Sequence, residues 1–173
     1  MSQPQVNATA GTVLGFLSRG PMSGWDLTQA IDGSVGNFWN VTRSQVYREL
    51  KALEEQGFVT QAGATGPRER RVYKLTPAGR REFKRWVARD LGEETRRVPV
   101  LLTTFFGAAV PPKRFAEILT AHRDELEERL AHLRALDKAL ADQPPARATV
   151  RYGIAYCRMA IRWINDEALP MVG

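Results

Sequence analysis

The sequence is poor in the residues that build disulfides and metal centres. Its 173 residues include one cysteine, Cys157, and two histidines, His122 and His132. A single cysteine excludes an internal disulfide and any site with several cysteine ligands. The histidines would lie roughly opposite each other on a helix, and neither has cysteine or carboxylate residues at metal-ligand spacing. Cys157 falls on the apolar side of a predicted helix, which favours a buried thiol over a redox switch.

Long hydrophobic runs and catalytic motifs are missing as well. The uncharged stretch Val98 to Pro112 contains prolines and is shorter than the roughly 20 residues that a membrane helix needs. The N-terminus lacks a signal-peptide pattern. No glycine-rich phosphate loop and no nucleophile elbow is present. We therefore expect a cytoplasmic protein that is not an enzyme, holds no cofactor or metal and has no membrane partner.

Residues 42 to 59 carry the most informative pattern. Thr42 and Gln45 have the spacing of a capping box, and Gly57 suits the left-handed position that ends a helix. Apolar residues between them recur at helical spacing and must face a core. The opposite face carries donors that reach phosphates and base edges. We therefore predict a DNA-recognition helix whose contacts come from these residues: Thr42, Arg43, Ser44, Gln45, Tyr47, Arg48 and Lys51.

Two alternatives remain open for this segment. Any amphipathic surface helix shares its spacing of apolar and polar residues. For Tyr47, a ring packed under the helix with only its hydroxyl in water explains the sequence as well as a phosphate contact does.

The neighbouring segments predict a winged helix-turn-helix. Helices are expected over Ala10 to Ser18 and from a cap at Ser23 to Ile31, ahead of the recognition helix. Residues 58–61 and 70–75 flank a turn-rich tip at residues 63–67, which indicates a β-hairpin, or wing. Thr76 and Pro77 open a further helix to about Leu91. The wing would contact the DNA backbone or minor groove through its basic residues: Arg68, Arg70 and Arg71.

The charge distribution supports an anionic partner for this half of the chain. The formal net charge is +6, and residues 1–91 contain 13 Lys and Arg against 8 Asp and Glu. Residues 92–173 are nearly balanced, with 12 against 11. A basic run taken alone is as typical of a solvated face, but beside a recognition-type helix it favours nucleic acid.

Prolines divide the second half into three predicted helices. Pro99 starts a short one, a long one runs from about Pro112 to Ala141, and Pro144-Pro145 forces a turn before a last helix from about Arg147 to Leu169. The last helix has apolar residues on two sides, and such a helix needs two partners. We therefore favour a homodimer over a compact monomer, with subunit contacts from two apolar seams: Leu119, Leu126, Leu133, Leu140, Ile154, Ile161 and Ile164.

Together these elements predict a mostly α protein with a small β-wing. Residues 1–9 are expected to be disordered. Residues 10–91 are expected to form a winged helix-turn-helix DNA-binding domain, and residues 92–173 an α-helical dimerisation domain that also has room for an effector.

Four segments resemble PadR-like transcriptional regulators, in the same order along the chain. Residues 12–17 and 20–27 resemble their first two helices, residues 38–59 their recognition segment, and residues 71–79 the end of their wing. The likeness covers about residues 10–91, whereas the C-terminal half agrees only in architecture. Trp25 stands where many members have Tyr, a change that should keep the packing role.

The resemblance implies a dimeric regulator, usually a repressor, that binds a pseudo-palindromic operator in double-stranded DNA. It also implies release by a small aromatic or amphipathic effector. Packing in a core is the more frequent role of aromatic residues at helical spacing. An effector-independent activator and an architectural DNA binder remain alternatives, and the cations of the recognition helix argue against a protein-interaction module. The aromatic side chains available to an effector are Phe105, Phe106, Tyr152, Tyr156 and Trp163.

Overall fold

The computed structural model describes residues 6–36, 38–65, 70–91 and 97–172. The chain divides into two compact units, one up to residue 93 and one from residue 94 onward. The first unit contains helices and a small sheet, and the second is helical. Within the described residues, no helix is long and apolar enough to cross a bilayer.

The N-terminal unit has the predicted winged helix-turn-helix order. Its elements are α1 (Ala8–Leu17), β1 (Met22–Ser23), α2 (Gly24–Asp32), α3 (Arg43–Glu55), β2 (Val59–Thr65), β3 (Arg70–Leu75) and α4 (Pro77–Val87). The antiparallel sheet has the order β1-β3-β2, so the wing has one strand more than the sequence predicts. A strand of two residues is too short to show an alternating pattern.

Order begins earlier in the chain than predicted. Asn7 accepts a hydrogen bond from the backbone N–H of Ala10 at 2.8 Å and so caps α1. Val6 is buried in the core of the unit. The prediction of disorder over residues 1–9 is therefore wrong for residues 6–9, because an asparagine cap and an apolar anchor define the start of α1 there. Residues 1–5 lie outside the described part of the chain.

The wing also differs from its prediction. β2 continues into the predicted tip and ends at Thr65, and its register with β3 shifts between Gln61 and Ala64. Gly63 has a φ of +111° at this bulge, a conformation that favours glycine. Gly63 thus serves the bulge within a strand instead of opening the turn.

The C-terminal unit begins with α5 (Pro99–Phe105) and a 3₁₀ turn at Gly107–Ala109, followed by α6 (Pro112–Ala139) and α7 (Pro144–Trp163). A π-helical segment, Ile164–Ala168, and a 3₁₀ turn, Pro170–Val172, end it. The last helix starts at Pro144 and not at Arg147 as predicted. The N–H groups of a first helical turn have no acceptor within the helix, so prolines are tolerated there.

The core of this unit lies between α6 and α7. Leu119, Leu133 and Ile164 are almost fully buried in it. Cys157 is buried there too, and this burial raises the pKa of its thiol. The prediction of a buried structural thiol is confirmed.

Candidate nucleic-acid interface

The recognition helix α3 is anchored by its apolar face. Val46, Leu50 and Leu53 are at most 1% exposed, and they pack into the core of the N-terminal unit. Helical periodicity then turns the opposite face to solvent. The structure brings the predicted contact residues of this helix together on that face and at its N-terminus: Thr42, Arg43, Ser44, Tyr47, Arg48 and Lys51 are exposed, and Gln45 is half-buried.

The predicted capping box at the start of α3 is confirmed. The Thr42 hydroxyl accepts from the Gln45 backbone N–H at 3.3 Å, and the Gln45 amide oxygen accepts from the Thr42 backbone N–H at 2.8 Å. The same amide oxygen also accepts from the Thr42 hydroxyl at 3.0 Å. The Gln45 oxygen is therefore occupied in the free protein, which leaves only its N–H₂ donors for another molecule.

Tyr47 packs its ring against α2 while remaining 40% exposed. The ring lies so close to Gly24 that a Cβ atom at Gly24 would meet it at 2.7 Å. The Arg43 guanidinium lies 5.6 Å from the centre of the same ring, within cation–π range. The ring thus packs as one of the two interpretations of Tyr47 expects, and it helps to hold Arg43 at the front of the helix. A phosphate contact by the Tyr47 hydroxyl stays a prediction.

Glu49 is a residue of this interface that the sequence analysis did not single out. Its side chain is 9% exposed, and one carboxylate oxygen accepts from the Arg48 guanidinium at 3.3 Å. The other accepts from the Asn7 side-chain amide at 3.2 Å. A buried carboxylate thus connects Arg48 to the start of α1. A charged residue at helical spacing from Val46 and Leu53 was the available signal, because that face is otherwise apolar.

Lys51 is only weakly engaged within the chain. Its ammonium group lies 3.9 Å from a carboxylate oxygen of Glu55, and both side chains are largely exposed. Surface pairs of this kind contribute little to stability. Lys51 is consequently free to exchange this contact for a phosphate.

The wing carries a smaller number of described cations. Arg71 and Lys74 are exposed on β3. The Thr76 hydroxyl donates to the Gly57 carbonyl at 2.7 Å and accepts from the Gly79 N–H at 3.0 Å, which connects the end of α3 to the start of α4. Arg68 and the side chain of Arg70 lie outside the described residues.

The five predicted effector aromatics have different surroundings. Phe105 and Phe106 are exposed and contact each other edge to face, with ring centres 5.0 Å apart. Tyr152 is 58% exposed on α7, whereas Tyr156 and Trp163 are partly buried against the core between α6 and α7. Core packing thus accounts for Tyr156 and Trp163, and three of the five remain on the surface.

The residues predicted for subunit contacts require a correction. Most of them belong to the core within one chain, where α6 packs on α7. Five of them are at most 9% exposed because α6 and α7 cover each other's apolar seams: Leu119, Leu126, Leu133, Ile154 and Ile164. Leu140 and Ile161 are only partly buried against the same core, so their contact with a second subunit stays a prediction.

Comparison with known proteins agrees with this geometry. Residues 13–85 match the transcriptional regulator PadR-like family, and residues 97–169 match the virulence activator alpha C-terminal family. The negative transcriptional regulator PadR of Bacillus subtilis is 31% identical over 140 residues, which cover 77% of this chain and 75% of that protein.

Two crystal structures of Bacillus subtilis PadR have the same fold. The one in complex with operator DNA has a TM-score of 0.84 at 22% identity and covers 96% of this chain and 100% of that one. The one in complex with p-coumaric acid has a TM-score of 0.77 at 24% identity, with coverage of 96% and 99%.

Proposed function

The chain belongs to the PadR-like family of transcriptional regulators, and we propose that it represses transcription as a homodimer bound to operator DNA. Membership in this family agrees with the expectation that the chain is not an enzyme. We place the regulator in the cytoplasm, where it reads double-stranded DNA. The observation that carries the proposal is the exposed cationic front of α3, held in place by a fully buried apolar face.

Base reading is assigned to the first two turns of α3. Arg43 and Arg48 are exposed, and arginine pairs with two acceptor atoms of guanine in the major groove. We do not assign Gln45 a two-point contact with adenine, because its amide oxygen already accepts hydrogen bonds from Thr42 in the capping box. It offers N–H donors to a base or a phosphate.

Affinity that does not depend on sequence is assigned to other groups. Ser44 and Lys51 lie on the same exposed face, and Arg71 lies on the wing. Contacts from such groups to phosphates orient a protein on the duplex without reading its sequence. Arg68 and Arg70 are proposed for the same role from their position in the sequence alone.

A two-fold dimer would present two copies of α3 to half-sites about one helical turn apart. Because the seams of α6 and α7 are covered within the chain, the dimer contact is assigned to apolar residues that remain exposed on or next to α5 and on α7: Leu101, Leu102, Phe105, Phe106, Tyr152 and Met159. Bacillus subtilis PadR has been crystallised with p-coumaric acid, which supports a small aromatic effector here as well. Phe105, Phe106 and Tyr152 are the predicted aromatics that are exposed in the single chain, so an effector that contacts them would lie at the dimer contact.

Binding to DNA from the region upstream of the protein's own gene tests the proposal. Footprinting defines the site, and fluorescence anisotropy then measures affinity for that site and for random DNA at several salt concentrations. Arg43→Ala should weaken operator binding by about 1–3 kcal/mol while affecting random DNA less, because it removes a base contact. Arg71→Ala should weaken both DNAs and lower the salt slope by about one unit, because it removes a phosphate contact.

Arg114→Ala is the matched control, since it removes an exposed arginine from α6 in the helical unit. It should leave both affinities unchanged. Salt-independent binding by the wild type, or equal losses from the Arg43 and Arg114 substitutions, would refute α3 as the reading element.

A further inference from the structure

An open groove of about 480 Å³ lies between the end of α6 and the middle of α7. Four cations line the groove, and we call them its rim: Arg134 and Lys138 from α6, and Arg151 and Arg158 from α7. None of the residues that line the groove is a predicted DNA contact of α3 or the wing. None of them is one of the exposed aromatic residues Phe105, Phe106 and Tyr152. Its volume is in the range of small-molecule sites.

The positive charge of the groove is only partly neutralised. Asp137 is the one acidic residue of its lining. The Asp137 carboxylate already accepts from Arg147 at 2.8 and 3.2 Å and from Arg151 at 2.9 Å. Among the described residues, Arg134, Lys138 and Arg158 have no hydrogen-bond or ion-pair partner. Three cations therefore line the same space without an ion-pair partner of their own among the described residues.

The floor and the spacing restrict what can fill this space. Ile154, which is 9% exposed, and Ala155 form an apolar floor. Arg151 and Arg158 are separated by about 10 Å along α7, and Arg134 and Lys138 by about 6 Å along α6, from the helical rise per residue. Anionic groups at two separate points can thus be bound while an apolar body covers the floor.

We propose that this groove binds a small organic anion that carries two or more negative charges on an apolar or aromatic body. The charges would be sulfonate, phosphate or carboxylate groups, which arginine and lysine bind by charge-assisted hydrogen bonds. A DNA backbone fits less well because it is polar along its whole length and would leave the apolar floor unused. The site goes beyond the DNA-binding function, and its occupancy is measured without DNA.

Pyranine, a pyrene with three sulfonate groups, is a direct probe of this chemistry. Its fluorescence anisotropy is followed as the full-length protein is added at low salt. The wild type should bind it saturably, and Lys138→Glu should weaken binding about tenfold or more, because a cation of the rim becomes an anion. Arg158→Gln should also weaken pyranine binding, but less than Lys138→Glu does, because it only removes a charge.

Lys113→Glu is the matched control, since it makes the same charge change at an exposed position in the first turn of α6. It should bind pyranine as the wild type does. Uncharged pyrenemethanol should not displace the probe.

Three results would overturn the proposal. The first is an absence of saturable pyranine binding, or equal affinities for the Lys138→Glu and Lys113→Glu variants. The second is a change of oligomeric state in sedimentation that is confined to Lys138→Glu, which would assign the groove to a second copy of the chain. The third is a loss of DNA binding by Lys138→Glu without pyranine binding by the wild type, which would assign it to DNA.

Discussion

Helices α3 and α5 are both exposed elements, but they present opposite chemistry to solvent. α3 buries its leucines and its valine and leaves arginine, lysine, serine and glutamine outside. α5 has no buried residue, and Leu101, Leu102 and Phe105 are 50%, 65% and 81% exposed. A polar face is stable in water and takes up a charged partner when one is present. An exposed apolar face is typical of a surface that another molecule covers, which is the role in the dimer that we propose for α5.

Substituting one leucine in the covered seam and one in α5 gives the largest contrast. Leu133→Ala should lower the free energy of unfolding by about 2–5 kcal/mol, because it opens a cavity between α6 and α7. Leu102→Ala should change it by less than about 0.5 kcal/mol at low protein concentration, since no core is disturbed. It should instead weaken self-association. Urea unfolding and sedimentation equilibrium measure the two quantities, and a loss of stability in both variants would place Leu102 in a core.

The next largest change in stability is expected at the contact between α2 and α3. Gly24→Ala places a methyl group against the Tyr47 ring and should destabilise the protein by about 1–3 kcal/mol. Gly20→Ala is its control, because nothing lies within 4 Å of a Cβ atom there. Thermal unfolding compares the two variants. Equal stabilities would mean that Tyr47 is not held against α2, and Arg43 would then lose its support on α3.

A smaller change in stability is expected from the capping box at the start of α3. α5 has no such box. Thr42→Ala removes the side-chain acceptor of the capping box and should cost about 1 kcal/mol of stability. Thr42→Ser keeps a hydroxyl at that position and should retain most of this stabilisation. α5 begins without any side-chain cap, so the corresponding Val98→Ala substitution should have no capping effect. Chemical unfolding of the three variants ranks them.

The smallest effect concerns the ion pairs that join α6 to α7. The guanidinium groups of Arg147 and Arg151 lower the pKa of Asp137 from 3.8 to about 2. A carboxyl whose pKa is lowered on folding stabilises the protein above its unfolded pKa, and this contribution is lost as the pH falls from about 4 to about 2. The urea midpoint of the wild type should therefore exceed that of Asp137→Asn at pH 7. The difference should vanish near pH 2, and a constant difference would show that the charge of Asp137 is not responsible.

The elements of the N-terminal unit were largely predictable because their signals are local. The Thr42–Gln45 box and the positive φ of Gly57 follow from residues within a few positions of each helix end. β1 was missed because a strand of two residues exists only through its pairing with β3. The role of Glu49 was missed for a similar reason, since its acceptor function depends on Asn7, 42 positions away in sequence.

In the C-terminal unit, the sequence predicted the apolar faces of the helices but not the elements that cover these faces. Heptad spacing places Leu119, Leu126 and Leu133 on one side of α6 whether the opposing helix comes from the same chain or from another. The structure shows that α7 of the same chain covers them. The uncovered apolar surface lies instead on α5 and on the outer side of α7.

The sequence by itself determined the family, the order of the elements, and the helix that carries the cations, because caps, prolines and helical periodicity act over a few residues. Only the tertiary structure decided which apolar seams are internal, how Tyr47 and Glu49 hold the two arginines of α3, and where α6 and α7 enclose a basic groove. These features depend on contacts between side chains far apart in the chain. Periodicity reports the face on which a residue lies but not what lies opposite it.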